Sequence, residues 1–139
     1  MNKYLLLIKS YWEYAIVIVP LILLFCLEVI LDIKIPNFYV LSFLGLTLVV
    51  CLIITNIRHK NETKKQLFDR YLKVGFIFPV MGFIIFLIKT FILGPYSDRS
   101  LFWIFIACFI IAVITIPLSI AIGYFIRFIM TVRSSSSLK

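Results

Sequence analysis

The feature that most constrains this chain is a series of four apolar blocks, each long enough to cross a lipid bilayer. The blocks cover residues 14–31, 38–57, 74–93 and 101–126. About 20 helical residues span a hydrocarbon core of ~30 Å. In lipid only helices and closed barrels satisfy their own backbone, and none of the blocks alternates apolar with polar residues as barrel strands do. The sequence therefore predicts an all-α membrane protein with four transmembrane helices.

The composition agrees with this class and with a single domain. Hydrophobic residues make up 63% of the 139 residues, which leaves too little polar surface to enclose a water-soluble core. We expect one transmembrane domain over residues 1–133 and a disordered tail over residues 134–139, which begins with four serines. The odd number of cysteines, all within the apolar blocks, argues against a disulfide framework. They are Cys26, Cys51 and Cys108.

One long polar run, residues 56–73, lies between the second and third blocks and determines the expected orientation. It carries six of the fourteen Lys and Arg residues. With this run in the cytoplasm, eleven basic residues lie inside and three outside: Lys3, Lys9, Arg58, Lys60, Lys64, Lys65, Arg70, Lys73, Arg127, Arg133 and Lys139 against Lys34, Lys89 and Arg99. The positive-inside rule then predicts that both termini are cytoplasmic. The net charge of +8 serves orientation and contact with membrane lipid, so we expect no direct nucleic-acid partner.

The polar run also contains a helix-start signal. Thr63 and Gln66 match the capping-box pattern, so helix three is predicted to begin near Thr63 and to extend into the cytoplasm. Apolar and basic side chains recur along this extension with helical spacing. We predict a docking platform for a cytosolic protein there, formed by Lys64, Lys65, Leu67, Phe68, Arg70 and Tyr71. The alternative is that the loop only sets orientation and lies on anionic lipid.

Two carboxylates fall within or beside the first apolar block. Glu13 lies among aromatic residues at headgroup depth, and we expect it to be solvated. Glu28 lies near the outer end of helix one, where it either reaches the headgroups or points into the bundle. Lys89 lies at a comparable depth on helix three. Because burying either charge alone is costly, we predict an intramembrane ion pair between Glu28 and Lys89.

Small residues in helices three and four indicate helix–helix packing. Gly75 and Gly82 lie on one face with Pro79, and Ser119 and Gly123 are four residues apart. We predict that Gly75, Gly82, Ser119 and Gly123 pack a symmetric homo-oligomer, with four copies favoured. In helix two, Thr47, Cys51 and Thr55 form a weakly polar face, for which packing is a better interpretation than a water-lined path.

The chain has no motif of a known catalytic site: no HExxH, GxSxG, P-loop or dinucleotide loop. His59 is the one histidine, whereas even a minimal zinc site needs three protein ligands. We therefore expect a protein that is not an enzyme, with no catalytic residues, no cofactor and no metal.

A resemblance rests on the segment Tyr14-Ala15-Ile16-Val17-Ile18-Val19-Pro20 and on the Ile35-Pro36 turn. With the basic loop, these make the chain similar to small four-span membrane proteins of phage-exclusion and antiphage systems. It resembles the Rex exclusion membrane proteins of lambdoid phages and the membrane subunit of the Kiwa system. The latter resemblance implies a homo-oligomer in a bacterial inner membrane that binds a cytosolic partner.

Pro117-Leu118-Ser119 is also similar to a stretch in membrane immunity proteins against pore-forming colicins.

The expected function is a non-enzymatic, oligomeric inner-membrane anchor or sensor that holds a cytosolic effector in antiphage defence. The alternatives are an immunity protein against a pore-forming bacteriocin, or a small ion channel.

Overall fold

The computed structural model describes residues 2–93 and 98–137. In these ranges the chain forms four α-helices: α1, Lys3–Phe25; α2, Asn37–Arg58; α3, Lys64–Leu93; and α4, Asp98–Ser136. All four are long and apolar enough to cross a membrane, and the described ranges contain no strand. The prediction of an all-α fold with four membrane-length helices is confirmed.

The start of α3 is set by the predicted capping box. The Thr63 backbone N–H donates to Gln66 Oε1 at 3.0 Å, and the Gln66 N–H donates to Thr63 Oγ1 at 3.5 Å. Both donors belong to the helix start, where intrahelical partners are missing. At the end of α2 the His59 N–H donates to Thr55 O at 3.0 Å. Residues 59–63 are therefore a short turn between two well-ended helices.

The C-terminal end of α1 lacks a regular cap. The helix continues into a π-helical turn, Cys26–Ile30, in which the Leu31 N–H donates to Cys26 O at 3.3 Å. Asp32 follows with a φ of 51°, in the left-handed region that Asp tolerates better than most residues. Residues 31–36 then lead to α2 without regular structure. The widened turn and the left-handed residue together end the first helix.

The most extensive helix contact is between α3 and α4, and α1 packs mainly on α2. Small residues allow the close approach of α3 to α4. A Cβ atom at Gly75 would lie 2.8 Å from Ile116 Cα, and one at Gly123 would lie 2.7 Å from the Tyr71 ring. Close backbone approach of this kind is a main source of helix association in lipid.

The core is concentrated in the half of the bundle that is nearest to residues 59–63. Its apolar members come from residues 14–21 of α1, the C-terminal half of α2 and the N-terminal half of α3: Tyr14, Val17, Leu21, Leu48, Cys51, Leu52, Leu67, Tyr71 and Val74. The weakly polar face of α2, with Thr47, Cys51 and Thr55, is buried within this half. Among the described side chains, Ile104 is the one buried residue close to the other end.

The tail differs from the expectation over its first residues. We predicted disorder from residue 134, whereas α4 continues to Ser136. The hydroxyls of Ser134, Ser135 and Ser136 each donate to the carbonyl three residues earlier, at 2.7–2.9 Å. These local bonds let a serine run remain helical. The predicted tail also includes residues 138 and 139, which lie outside the described ranges.

Candidate functional site

Four charged or titratable side chains meet beside the turn between α2 and α3. We call Glu13, His59, Glu62 and Arg70 the polar cluster. His59 lies between the two carboxylates, with Nε2 3.1 Å from Glu13 Oε1 and Nδ1 2.9 Å from Glu62 Oε1. A neutral imidazole donates to one of these oxygens, and a protonated imidazole donates to both. The ring thereby links α1 to the turn.

Arg70 joins the same two carboxylates from α3. Its Nε and Nη2 atoms donate to Glu62 Oε2 and Oε1 at 2.6 and 2.7 Å, a bidentate pair. Its Nη1 atom lies 3.5 Å from Glu13 Oε1. The hydrogen bond from Arg70 is the main cause that lowers the pKa of the Glu62 carboxyl, and the charges of Arg70 and His59 act in the same direction. Glu62 is therefore held in its ionised form.

The prediction that Glu13 is a solvated charge at headgroup depth is wrong. Its side chain is 1% exposed, and the packing of α1 against α2 and α3 replaces water with His59 and Arg70. Its Oε2 atom has no hydrogen-bond partner among the described residues. A buried carboxylate that is incompletely bonded depends strongly on the partners that it has.

A second polar layer lies deeper in the bundle and joins α2, α3 and α4. The buried Asn56 side chain donates from Nδ2 to Leu52 O at 2.9 Å and to Gly123 O at 3.2 Å. It also accepts a hydrogen bond from the Tyr71 hydroxyl at Oδ1. Ser119 Oγ donates to Tyr71 O at 2.8 Å. These bonds satisfy polar groups that would otherwise be costly to bury.

The turn is also fastened from outside the cluster. Arg127 of α4 donates from Nη2 to Lys60 O at 2.6 Å. Arg58, at the end of α2, donates to Lys9 O at 3.2 Å and places its guanidinium 5.0 Å from the centre of the Trp12 ring. Residues 59–63 are thus tied to α1, α3 and α4 as well as to α2.

The predicted docking residues of α3 separate into two groups. Lys64, Lys65 and Phe68 are exposed. Leu67 and Tyr71 are 2% and 0% exposed, and Arg70 is committed to the polar cluster. The apolar stripe is therefore turned mostly into the bundle, because Tyr71 packs on Gly123. Docking stays a prediction, and the predicted docking residues that a partner can reach are Lys64, Lys65 and Phe68.

The predicted oligomer-packing residues also separate. Gly75, Ser119 and Gly123 lie at the contact between α3 and α4 of one chain. A Cβ atom at Gly82 would meet nothing within 4 Å, so this position is open. The predicted ion pair between Glu28 and Lys89 stays untested, because the Lys89 side chain lies outside the part of the chain that the structure describes.

The polar cluster was not predicted from the sequence, although a usable signal was present. Glu13 precedes the first apolar block, at the same membrane depth as the basic run. Equal membrane depth, the basis of the predicted pair between Glu28 and Lys89, also places Glu13 beside the polar run. Over residues 2–93 and 98–137, no three His, Cys, Asp or Glu side chains are arranged to hold a metal. The cluster instead joins helices through ionic hydrogen bonds.

Comparisons of the chain with protein-family models, with curated proteins and with solved structures find no match. The class of the protein is defined by its own fold and contacts. In the described ranges it has four helices of membrane length. One end of this bundle is closed by a network of buried and partly buried charged and polar side chains.

Proposed function

We propose that the protein is a non-enzymatic membrane anchor that holds a cytosolic protein at the start of α3. The observation that carries the proposal is the fixed position of this helix start. The polar cluster, the capping box and the Arg127 contact immobilise the turn, while Lys64, Lys65 and Phe68 remain exposed on the helix that follows it.

A preordered surface favours docking because the partner does not have to immobilise a loop when it binds. Phe68 is 41% exposed and offers an aromatic anchor beside two lysines. The partner that fits this surface has an apolar pocket with an acidic rim. The lysines would chiefly set the association rate and its dependence on salt.

The proposal includes an orientation and an assembly. We place both termini and the turn in the cytoplasm of a bacterial inner membrane, which the eleven-to-three distribution of basic residues supports. We favour a homotetramer, and the open surface at Gly82 supports packing between copies there. Four identical α3 surfaces would bind one partner with avidity even if each contact were weak. The resemblance to phage-exclusion proteins supports a role in antiphage defence.

The test is a co-purification from cells that carry the protein with its neighbouring genes. Two variants change the surface: Lys64→Glu with Lys65→Glu, and Phe68→Ala. The matched control is Lys3→Glu with Lys9→Glu, which reverses two exposed charges on α1, at the same end of the bundle. Reporter fusions after Lys60, Asp98 and Lys139 check that each variant keeps the expected orientation.

We expect both surface variants to lose the co-purifying cytosolic protein and any phage protection, while the control keeps both. Binding of the partner by the wild-type protein should weaken as the salt concentration rises. If both surface variants insert normally and retain the same partners as wild type, the start of α3 only orients the protein on anionic lipid.

A further inference from the structure

A groove between α1 and α3 runs from the apolar part of the bundle to the polar cluster. Its apolar section has a volume of about 450 Å³ and is lined by Ile18 of α1 and by Leu72, Phe76 and Val80 of α3, among others. Its polar section, of about 280 Å³, is lined by Glu62, Gln66, Asp69 and Arg70. Tyr11, Tyr14 and Lys73 line both sections, so the two cavities adjoin.

The groove has the layout of a phospholipid. Apart from Leu72, the residues that line only the apolar section belong to the first and third apolar blocks, beside which acyl chains would lie. The change from apolar to polar occurs at two tyrosines and a lysine, residue types that are typical of the membrane interface. The polar section lies where a headgroup would be.

The charges in the polar section discriminate between headgroups. Arg70 is committed to Glu62 and Glu13. Within the described part of the chain, Asp69 and Lys73 have no ion-pair partner. They are four residues apart on α3, so their side chains leave the helix from the same face. The section thus offers one cation and one anion that are not used by the protein.

We propose that this groove binds one phospholipid with a zwitterionic headgroup that carries a primary ammonium, such as phosphatidylethanolamine. An acyl chain occupies the apolar section, the phosphate contacts Lys73, and the ammonium contacts Asp69. The four charged residues of the polar section, Glu62, Asp69, Arg70 and Lys73, sum to zero. A zwitterion matches this sum, whereas phosphatidylglycerol would bring a net negative charge beside Asp69.

The bound lipid would complete a contact that the helices leave open. The interface between α1 and α3 is smaller than the interface of either helix with its main neighbour. Phe76 and Val80 face the groove and are 51% and 42% exposed in the protein alone. A lipid held there would add apolar contact between α1 and α3 at the point where the protein supplies little.

The test is native mass spectrometry of the full-length protein in detergent, with equal amounts of dioleoyl-phosphatidylethanolamine and dioleoyl-phosphatidylglycerol. We expect one retained lipid per chain, with phosphatidylethanolamine favoured about fivefold, as one charge near a membrane surface is worth ~1 kcal/mol. Asp69→Asn should bring the ratio of the two lipids close to one. Lys73→Gln should lower the retention of both lipids.

A second pair of variants tests the apolar section. Val80→Trp places a large ring in the groove and should reduce lipid retention severalfold. Ile84→Trp is the matched control, because Ile84 is also 42% exposed and lies one turn further along α3, outside the groove. Far-ultraviolet circular dichroism shows whether each variant keeps the helical content of wild type.

Three results would overturn the proposal. The first is equal or stronger retention of phosphatidylglycerol by wild type. The second is an unchanged lipid ratio in Asp69→Asn, a substitution at an exposed position. The third is equal retention by Val80→Trp and Ile84→Trp, which would mean that lipid covers the bundle without occupying the groove.

Discussion

The two ends of the bundle are held in different ways. At the end near residues 59–63, charged and polar side chains from all four helices and the turn form ion pairs and hydrogen bonds within the protein. At the end near residues 31–36, the described apolar side chains are mostly exposed, among them Leu31, Phe38 and Phe102 at 61%, 75% and 63%. Apolar contact gives little net attraction between helices in lipid, because lipid tails contact the same surfaces. Polar contacts and close packing therefore decide where this bundle is fixed.

Apolar side chains also have different environments in the two halves of the bundle. In the closed half, residues such as Leu52 and Val17 are fully buried and fill space between helices. In the open half, similar residues face outward, where hydrocarbon is a suitable environment and exposure carries no penalty. The open half is therefore the part of the molecule that is available to lipid or to another copy of the chain.

The largest expected effect comes from removing the cation of the polar cluster. Arg70→Met leaves Glu13, which is 1% exposed, with the His59 imidazole as its one side-chain partner among the ion pairs in the described ranges. Breaking a buried ion pair in this way should lower the free energy of unfolding by about 3 kcal/mol. Circular dichroism of unfolding by SDS in mixed micelles measures this loss.

Two further variants show whether the loss comes from the unpaired carboxylate. Adding Glu13→Gln to Arg70→Met should restore part of the stability, because the unpaired carboxylate is removed. Lys73→Met is the control, one turn along α3 at an exposed position, and should cost little. Equal losses for Arg70→Met and Lys73→Met would contradict a closed end that depends on the cluster.

A smaller effect is expected from a methyl group added at each half of α3. Gly75→Ala in the closed half would bring Cβ against Ser119 Oγ and the backbone of α4. We expect a loss of about 2 kcal/mol from this overpacking. Gly82→Ala in the open half meets no atom within 4 Å and should stabilise α3 by roughly 0.5 kcal/mol through helix propensity.

The same SDS unfolding assay compares the two glycine variants directly. If Gly75→Ala and Gly82→Ala have equal effects on the free energy of unfolding, the close packing of α3 on α4 does not distinguish the two halves. Gly82→Leu in a mild detergent, followed by native mass spectrometry, separately tests whether this open position packs one copy against another.

The smallest expected effect concerns pH. The pKa of the Glu62 carboxyl is lowered in the folded protein from its ordinary value of 4.5. The contribution of Glu62 to stability is therefore fully present above pH 4.5 and is lost as the pH falls through the lowered pKa. Glu62→Gln should lack this acid-dependent loss.

The effect should stay below about 1 kcal/mol because Glu62 is partly exposed. Unfolding free energies of wild type and Glu62→Gln at pH 7 and pH 3 measure it. The two proteins should differ more at pH 7 than at pH 3. A difference that is the same at both pH values would mean that the pair with Arg70 contributes nothing to the closed end.

The sequence predicts contacts between residues that are close along the chain, and it does not predict contacts between residues that are far apart along the chain. The capping box joins Thr63 to Gln66 across three positions, and its prediction was correct. The four membrane-length helices follow from local composition in the same way. Glu13 and His59 are 46 residues apart, and their contact depends on how α1, α2 and the turn pack together. Local patterns contain no information on that packing.

For the same reason, the sequence could not predict which face of the start of α3 is buried. Leu67 and Tyr71 have the spacing of an apolar stripe, which is typical of a docking face and of a buried face alike. In the structure this face is buried, because Gly123 of α4 has no side chain and leaves room for the Tyr71 ring. The small residues of α4 were recognised, but their partner in the same chain was not.

The most direct test of the difference between the two ends is hydrogen exchange measured by mass spectrometry on the detergent-solubilised protein. Exchange reports the opening of hydrogen-bonded backbone, so a fixed region exchanges slowly. We predict that peptides covering residues 56–71 exchange much more slowly than peptides covering residues 26–37, and that Arg70→Met removes most of this difference. Equal exchange rates for the two segments in the wild-type protein would contradict a bundle that is closed at one end by its polar cluster.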